Sequence, residues 1–312
     1  MTRWHTITTG TLDALVEAGL DPQLVGARIV DALDEDLEGG QDVTTVATIP
    51  AGGRAIMELI AHQPGVVAGV PVAAAVFETV GGADMDVAAV VGDGGAVSDG
   101  DVIIQVTGDT GSLLTAERTA LNFLGHLSGI ATATAEWVSA LGDRGTRVRD
   151  TRKTTPGLRA LEKYAVRAGR GLNHRMSLSD AALVKDNHVA AAGGVTAAFD
   201  AVRRRFPGLP IEVEVDTLDQ LAEVLAAGAD LILLDNFSPE QMREAVGLVA
   251  GRAKLEASGG LTLLDAGVVA ATGVDYVAVG AITHSAASLD IGADLSPLPP
   301  DSAGDREPVG SH

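Results

Sequence analysis

The sequence predicts an α/β protein in two parts. The first mixes helices with antiparallel strands, and the second alternates strands with helices to build a parallel sheet. Three observations carry this reading. The texture of the chain changes at Thr115, from Gly-punctuated strand signals to a long amphipathic stretch. Beyond it, short apolar runs recur and each ends in a polar residue or glycine, at Asp150, Asp186, Asp216, Asp235, Ser258 and Gly280. The intervals of 36, 30, 19, 23 and 22 residues suit strand–helix units with right-handed crossovers.

In chain order, Pro22–Leu37 carries apolar residues at Leu24, Val25, Ile29, Leu33 and Leu37, the stripe of a helix. Turn-bounded strands are expected over 54–61, 65–70, 85–91 and 101–107. Together these make a compact α+β unit with antiparallel pairing. Thr115 is a candidate cap for a helix running to Leu141, with Glu117 in its first turn and Leu121, Leu124, Ile130, Val138 and Leu141 on its apolar face. Helical patterns over 218–227 and 239–251 fill later gaps between strands. Closing the parallel sheet gives a barrel, and leaving it open gives a doubly wound fold. No Gly-x-Gly-x-x-Gly follows the first of these strands, which counts against a dinucleotide fold. Residues 296–312, rich in Pro, Gly and charge, read as a mobile tail.

Composition bounds the function. The 312 residues are 46% apolar and 21% charged, ordinary for a globular chain. The absence of cysteine excludes disulfides, thiolate zinc sites and thiol catalysis. Residues 1–10 do not read as a signal peptide, and no apolar run reaches the ~20 residues of a membrane span. A cytoplasmic enzyme or binding protein is expected, without a membrane partner. The formal net charge of −20 argues against nucleic acid, which calls for a broad basic face.

A small anion needs only a local cationic pocket, and the sequence offers one. Residues 142–175 hold ten Lys and Arg against three Asp and Glu. Arg159, Lys163, Arg167 and Arg170 have near-helical spacing and read equally well as a solvated ridge. Asp150-Thr151-Arg152-Lys153 and His174-Arg175 instead flank a strand end and a loop, where arginine can grip a carboxylate through two parallel hydrogen bonds. Ligands of parallel α/β folds sit beyond the carboxyl ends of the strands. Arg152, Lys153, Lys185, Glu214, Asp235, Ser258–Gly260 and Gly280 are therefore expected at one mouth. Ser258-Gly259-Gly260 and the stretch from Val279 to Ser285 are candidate phosphate loops. Arg118, expected in the first turn of its helix, faces the unfavourable end of the helix dipole unless it reaches for an anion. The mouth thus has a cationic half suited to a small di-anion. Its other half, carboxylates beside phosphate loops, suits a phosphorylated sugar with Mg²⁺ between the charges.

Several segments together resemble one family. They are "ERTALNFLGHLSGIAT" (117–132), "DTRKTTPGLRALEKYAVRAGRGLNHRMSLSDAALVKDNH" (150–188), "EVEVDT" (212–217), "LLDN" (233–236) and "EASGG" (256–260). The chain resembles the quinolinate phosphoribosyltransferases, over nearly its whole length and most specifically over 150–188. The resemblance implies an N-terminal α+β sandwich domain (1–116), an open, incomplete α/β barrel as catalytic domain (117–286) and a C-terminal segment with its tail (287–312). It implies phosphoribosyl transfer from phosphoribosyl pyrophosphate to quinolinate with decarboxylation, giving nicotinate mononucleotide, pyrophosphate and CO₂. Mg²⁺ is the implied cofactor, and a homodimer the implied assembly, with Arg118 donated across the interface.

By the same resemblance, quinolinate falls to Arg118, Thr151, Arg152, Lys153, His174, Arg175 and Lys185. Phosphoribosyl pyrophosphate falls to Lys153, Lys185, Glu214, Asp235, Ser258, Gly259, Gly260, Gly280 and His284. Lys153, Glu214 and Asp235 are the expected catalytic residues, and Glu214 and Asp235 the expected Mg²⁺ contacts. Two alternatives are weighed beside this one: a related phosphoribosyltransferase for another aromatic acid, and a non-catalytic sensor of an anionic metabolite. The sensor would have no use for Glu214, Asp235 and both phosphate loops.

Overall fold

The structure, a computed structural model, describes residues 4–298. The chain divides into two compact units. One comprises the chain up to His126 together with Leu289 onward, and the other runs from Leu127 to Ser288.

In the first unit, helix α1 (Thr9–Glu17) is capped by the Thr8 hydroxyl. Helix α2 (Pro22–Leu37) is capped by Asp21, starts on a proline and buries Val25, Ile29 and Leu33 of its expected stripe, while Leu24 is exposed and Leu37 half-buried. A short helix α3 (Val43–Thr48) buries nothing. Strand β1 (Arg54–Ala61) alternates, with Ala55, Met57, Leu59 and Ala61 inward. Strand β2 (Gly65–Val66) ends much earlier than its expected extent, because helix α4 (Val70–Gly81) takes over the chain. The run from Val70 to Ala75 is apolar without a period, which conceals a helix buried on nearly every side. Asp93 accepts hydrogen bonds from the amides of Gly69 and Val70 (2.9 and 3.0 Å) and so starts α4 from a distance in sequence.

Strands β3 (Asp86–Ala89), β4 (Ala96–Val97) and β5 (Val102–Asp109) follow. Beyond β5, helix α5 (Thr110–Leu141) begins five residues before Thr115. Asp109 accepts from the Ser112 amide at 2.9 Å, which places the helix start there. Arg118 consequently lies about two turns inside α5 rather than in its first turn, out of reach of the positive end of the helix dipole. The division between units falls within this helix.

The C-terminal segment does not stand apart. Strand β12 (Ile291–Pro297) pairs antiparallel along all of β1 from Ala55 to Ala61, giving a four-stranded sheet in the order β12-β1-β5-β3. Ser296 and Pro297 belong to this strand; the rest of the expected tail, from residue 299, lies outside the described residues.

The second unit alternates strands and helices: β6 (Arg147–Arg149), α6 (Arg159–Ala168), β7 (Ala182–Val184), α7 (Asp186–Ala192), α8 (Val195–Arg205), β8 (Ile211–Val215), α9 (Leu218–Ala226), β9 (Leu231–Asp235), α10 (Pro239–Val249), β10 (Lys254–Ser258), α11 (Ala266–Ala270), β11 (Tyr276–Ala278) and α12 (Ala281–His284). Its six strands are all parallel, in the order β7-β8-β9-β10-β11-β6. From β7 to β11 each strand neighbours the next in sequence, and the last, β11, pairs with the first, β6. A doubly wound sheet does not return on itself in this way, so the unit is a barrel. Its opening falls between β6 and β7, which do not pair; a parallel bridge from Arg149 to Leu172 prolongs only the β6 edge.

Period-two alternation then sorts the side chains. Val213, Val215, Ile232, Leu234, Leu255, Ala257 and Val277 are buried and share one parity along β8 to β11. The other parity carries Glu212 and Glu214, Leu233 and Asp235, Glu256 and Ser258, and Ala278 with Gly280 beyond it. Registers place Glu214 beside Leu233, and Ser258 beside Asp235. This polar parity is the one that builds the site. Among the described residues, no helix is long and apolar enough to cross a membrane.

Candidate active site

A cavity of about 810 Å³ opens at the carboxyl ends of the barrel strands. Its lining contains Thr151, Arg152, Lys153, His174, Arg175, Lys185, Glu214, Asp235, Ser258, Gly259, Gly260, Gly280 and His284. These residues lie up to 133 positions apart in sequence (151 to 284) and meet because six parallel strands end at one rim. Arg118 belongs to the other unit and is not part of this lining.

Around the rim, chemistry follows strand order. Beyond β6, the Thr151 hydroxyl accepts from the Lys153 amide at 3.0 Å and turns the chain. The Thr283 hydroxyl lies 2.8 Å from the Lys153 carbonyl, tying this turn to the loop after β11. Arg152 brings a buried Nε with no protein acceptor. Arg175 donates to the Ala181 carbonyl at 3.0 Å. Its pKa is pulled below the ordinary arginine range by burial and then by the neighbouring Arg152 guanidinium. Two guanidiniums in mutual repulsion, one with an orphaned buried donor, make a site short of negative charge.

Across the cavity the balance reverses. Glu214 carries a 2.6 Å contact from the Lys185 ammonium. The pKa of Asp235 is raised, first by burial and then by the Asp216 charge; a hydrogen bond from the Asn236 side chain (2.7 Å) acts the other way. This half has carboxylate charge to share with a cation. Beside it, the loop after β10 needs its glycines: Gly259 has φ +109°, and a Cβ there would lie 2.9 Å from the Asn236 backbone nitrogen. A Cβ on Gly280 would lie 2.9 Å from Lys153 Cδ. The His284 ring is held by a 2.6 Å hydrogen bond between its Nδ1 and the Ser285 hydroxyl.

His174 lines the cavity and is also tied into the protein. Its Nδ1 accepts the Arg175 amide at 2.7 Å, so the ring proton sits on Nε2, which faces Glu212 Oε2 at 2.6 Å. Both ring nitrogens thus face protein groups in this structure.

Below the rim lies a buried layer that the sequence pattern does not announce. Lys163 has no exposed surface and pairs with Asp150, equally buried, at the end of β6. It is an internal ion of α6, not part of a solvated ridge. Asp150 also accepts from the His174 amide (2.8 Å) and the Asn173 side chain (2.6 Å), and Lys163 donates to the His174 carbonyl (2.9 Å). Beside them Arg149 pairs closely with Glu256 and lies 4.0 Å from Glu212. Burial, followed by repulsion from Glu212, raises the Glu256 pKa to about 8. Parity was the available signal for Glu212 and Glu256, since each stands two residues before a rim residue on the same strand.

The comparisons with known proteins agree with this architecture. The domain families described as quinolinate phosphoribosyl transferase, N-terminal and C-terminal domain, match residues 42–128 and 130–294. The chain belongs to the quinolinate phosphoribosyltransferase family. A nicotinate-nucleotide pyrophosphorylase (carboxylating) of Mycobacterium leprae is 53% identical over 268 residues, 85% of this chain and 94% of that protein. The probable counterpart in Bacillus subtilis is 44% identical over 242 residues, covering 77% of this chain and 83% of that one. Among solved structures, NadC from Streptococcus pyogenes superposes with a TM-score of 0.85 at 44% identity, covering 90% of this chain and 99% of that one. As a family member, the chain carries the N-terminal α+β domain and open α/β barrel shared with these relatives.

Proposed function

We infer that the chain transfers a phosphoribosyl group from phosphoribosyl pyrophosphate to quinolinate, with loss of CO₂, and so makes nicotinate mononucleotide for NAD biosynthesis. The observation that carries the reading is the division of one cavity: paired guanidiniums on one side, carboxylates and glycine loops on the other. Arg152 and Arg175 suit the two carboxylates of quinolinate, and Lys153 stands between the halves. Glu214 and Asp235 suit the ribose hydroxyls, and Ser258–Gly260 with Gly280 the 5-phosphate. Arg152, Arg175 and Lys153 orient the ring so that its nitrogen faces the anomeric carbon. The carbon–nitrogen bond forms as the bond to pyrophosphate breaks. Positive charge developing on the sugar is stabilised by Glu214 or Asp235. The ribosylated ring then takes the electron pair released at C2 as CO₂ leaves, and a proton completes the product.

The donor set on Glu214 and Asp235 is all hard oxygen, and the crowding of Asp235 by Asp216 leaves negative charge that a cation relieves. These residues fit Mg²⁺, which when bound neutralises the departing pyrophosphate. A homodimer is part of the proposal. Arg118 has 64% of its side chain exposed and only a loose 3.9 Å contact to Glu117, so it is available to a second copy.

The test is direct. Purified protein with quinolinate, phosphoribosyl pyrophosphate and Mg²⁺ is followed by chromatography for nicotinate mononucleotide and by CO₂ release. Product from quinolinate supports the reading. Product from nicotinate alone, with quinolinate inert, overturns it.

A further inference from the structure

Of the residues lining the cavity, His174 is the most constrained. Its amide donates to Asp150, its carbonyl accepts from Lys163, its Nδ1 accepts from the next amide and its Nε2 faces a carboxylate. A residue whose polar atoms are all engaged within the protein contributes to the site through what it holds. What it holds is the backbone of Arg175, whose guanidinium is needed in the acid-binding half.

The tautomer decides whether this works. Nδ1 can accept the Arg175 amide only while the ring proton stays on Nε2. The group that keeps it there is Glu212, 3% exposed, with Oε2 at 2.6 Å. Glu256 is also near, at 3.9 Å from Nε2, but it is already engaged by Arg149. Glu212 lies farther from that arginine, at 4.0 Å, and His174 is its nearest ionisable neighbour. The charge of Glu212 also favours the charged form of Arg175.

We propose that Glu212 is a positioning residue for the acid-binding half: through His174 it fixes the backbone at Arg175, and with it the grip of Arg175 on one ring carboxylate. Glu212 touches neither substrate. Its removal acts on quinolinate and leaves the sugar-phosphate half alone. The proposal rests on the assignment of the cationic half to quinolinate, and the experiment separates the two.

Glu212→Leu removes the acceptor, and Glu212→Gln keeps an oxygen in the same place without the charge. Steady-state constants for both substrates are measured on the full-length enzyme. Quinolinate binding to the resting enzyme is measured by calorimetry, and the His174 ring is read by ¹⁵N shifts, assigned with His174→Gln. For Glu212→Leu, KM and Kd for quinolinate are expected to rise roughly 10- to 100-fold, the effect of losing one buried polar contact to the ring. KM for phosphoribosyl pyrophosphate should move less than about threefold, the His174 tautomer should become mixed, and Glu212→Gln should restore most of the quinolinate affinity. If wild type fails to bind quinolinate, the assignment of the pocket is wrong. If wild type binds it and Glu212→Leu binds equally well, or Glu212→Gln is no better than Glu212→Leu, the positioning role is overturned. Should Glu212→Leu not fold, the Glu212→Gln spectra decide: retention of the Nε2–H tautomer with near-normal quinolinate KM supports the proposal, and loss of either refutes it.

Discussion

Lys163→Met tests the layer beneath the site. Methionine fills the volume of the lysine and removes only the charge and its hydrogen bonds to Asp150 and the His174 carbonyl. Asp150 is then a buried carboxylate without a counter-ion. Two routes are open to it. If it stays charged, breaking a buried pair from one side costs about 3–5 kcal/mol. If it takes up a proton at pH 7, a carboxyl with an ordinary value of 3.8 loses about 1.4 kcal/mol for each pH unit, roughly 4 kcal/mol in all. The routes converge, so a loss of about 4 kcal/mol is expected.

The sign with pH follows from the second route. The folded variant holds a proton that the unfolded chain has released, so its deficit against wild type narrows as pH falls from 7 towards 5. The assay is urea unfolding followed by the fluorescence of Trp137, which is buried in the same unit, in a Trp4→Phe background. Adding Asp150→Asn removes the orphaned charge and should recover about half of the loss. A deficit below about 1 kcal/mol, or a double variant no more stable than Lys163→Met alone, would show that burial of this pair was misjudged.

Three further outcomes are expected. Gly259→Ala places a Cβ against the Asn236 backbone in a left-handed conformation; KM for phosphoribosyl pyrophosphate should rise at least tenfold in steady-state assays while quinolinate binding by calorimetry is preserved. Glu256, raised from 4.5 to about 8, keeps its proton in the folded state over a range where the unfolded chain has lost it. Its contribution to stability is therefore greatest below about pH 4.5 and declines as pH rises to about 8; urea midpoints across that range should fall more steeply for wild type than for Glu256→Gln, and equal slopes would refute the assignment. Finally, Arg118→Ala and Glu214→Ala enzymes, each inactive alone, should regain activity when unfolded and refolded together, because one site of a mixed dimer then has both residues; no recovery counts against donation of Arg118 between subunits.

The legible part of the sequence was whatever a local period could encode. Pro22–Leu37 and Arg54–Ala61 announce themselves by spacing 3.6 and spacing 2, and the rim residues by ending successive apolar runs. Illegible features depended on a partner remote in sequence. Lys163 keeps step with Arg159 and Arg167 and so resembles a surface ridge; only its pairing with Asp150, on a strand end 13 residues earlier, makes it internal. Helix α4 has no polar face because the unit buries it on nearly every side, so it offered no period to read. The strand at Ile291–Pro297 was hidden because its last residues share the Pro-rich, charged composition of residues 298–312. Arg118 was misplaced for a local reason: Thr115 is a good cap, but Asp109, closing β5, is already in reach of the Ser112 amide and starts the helix first.

The division of the cavity into unlike halves follows from where the barrel is open. The cations come from three segments: the end of β6 (Thr151 to Lys153), the stretch following the Leu172 bridge (His174, Arg175) and the end of β7 (Lys185). All three border the gap between β6 and β7. The carboxylates come from β8 and β9, and the glycine loops from β10 and β11, where the ring is continuous. At the gap β6 and β7 do not pair; backbone hydrogen bonds reach only as far as Leu172 on the β6 edge, and beyond it the Asp150–Lys163 pair clamps residue 174. A closed ring in this unit would bring β7 against the Leu172 edge and leave less room for His174 and Arg175 between them. The open seam and the buried ions beneath it are thus two parts of one arrangement: the gap makes space for cations, and Asp150, Lys163 and Glu212 keep them from drifting into it.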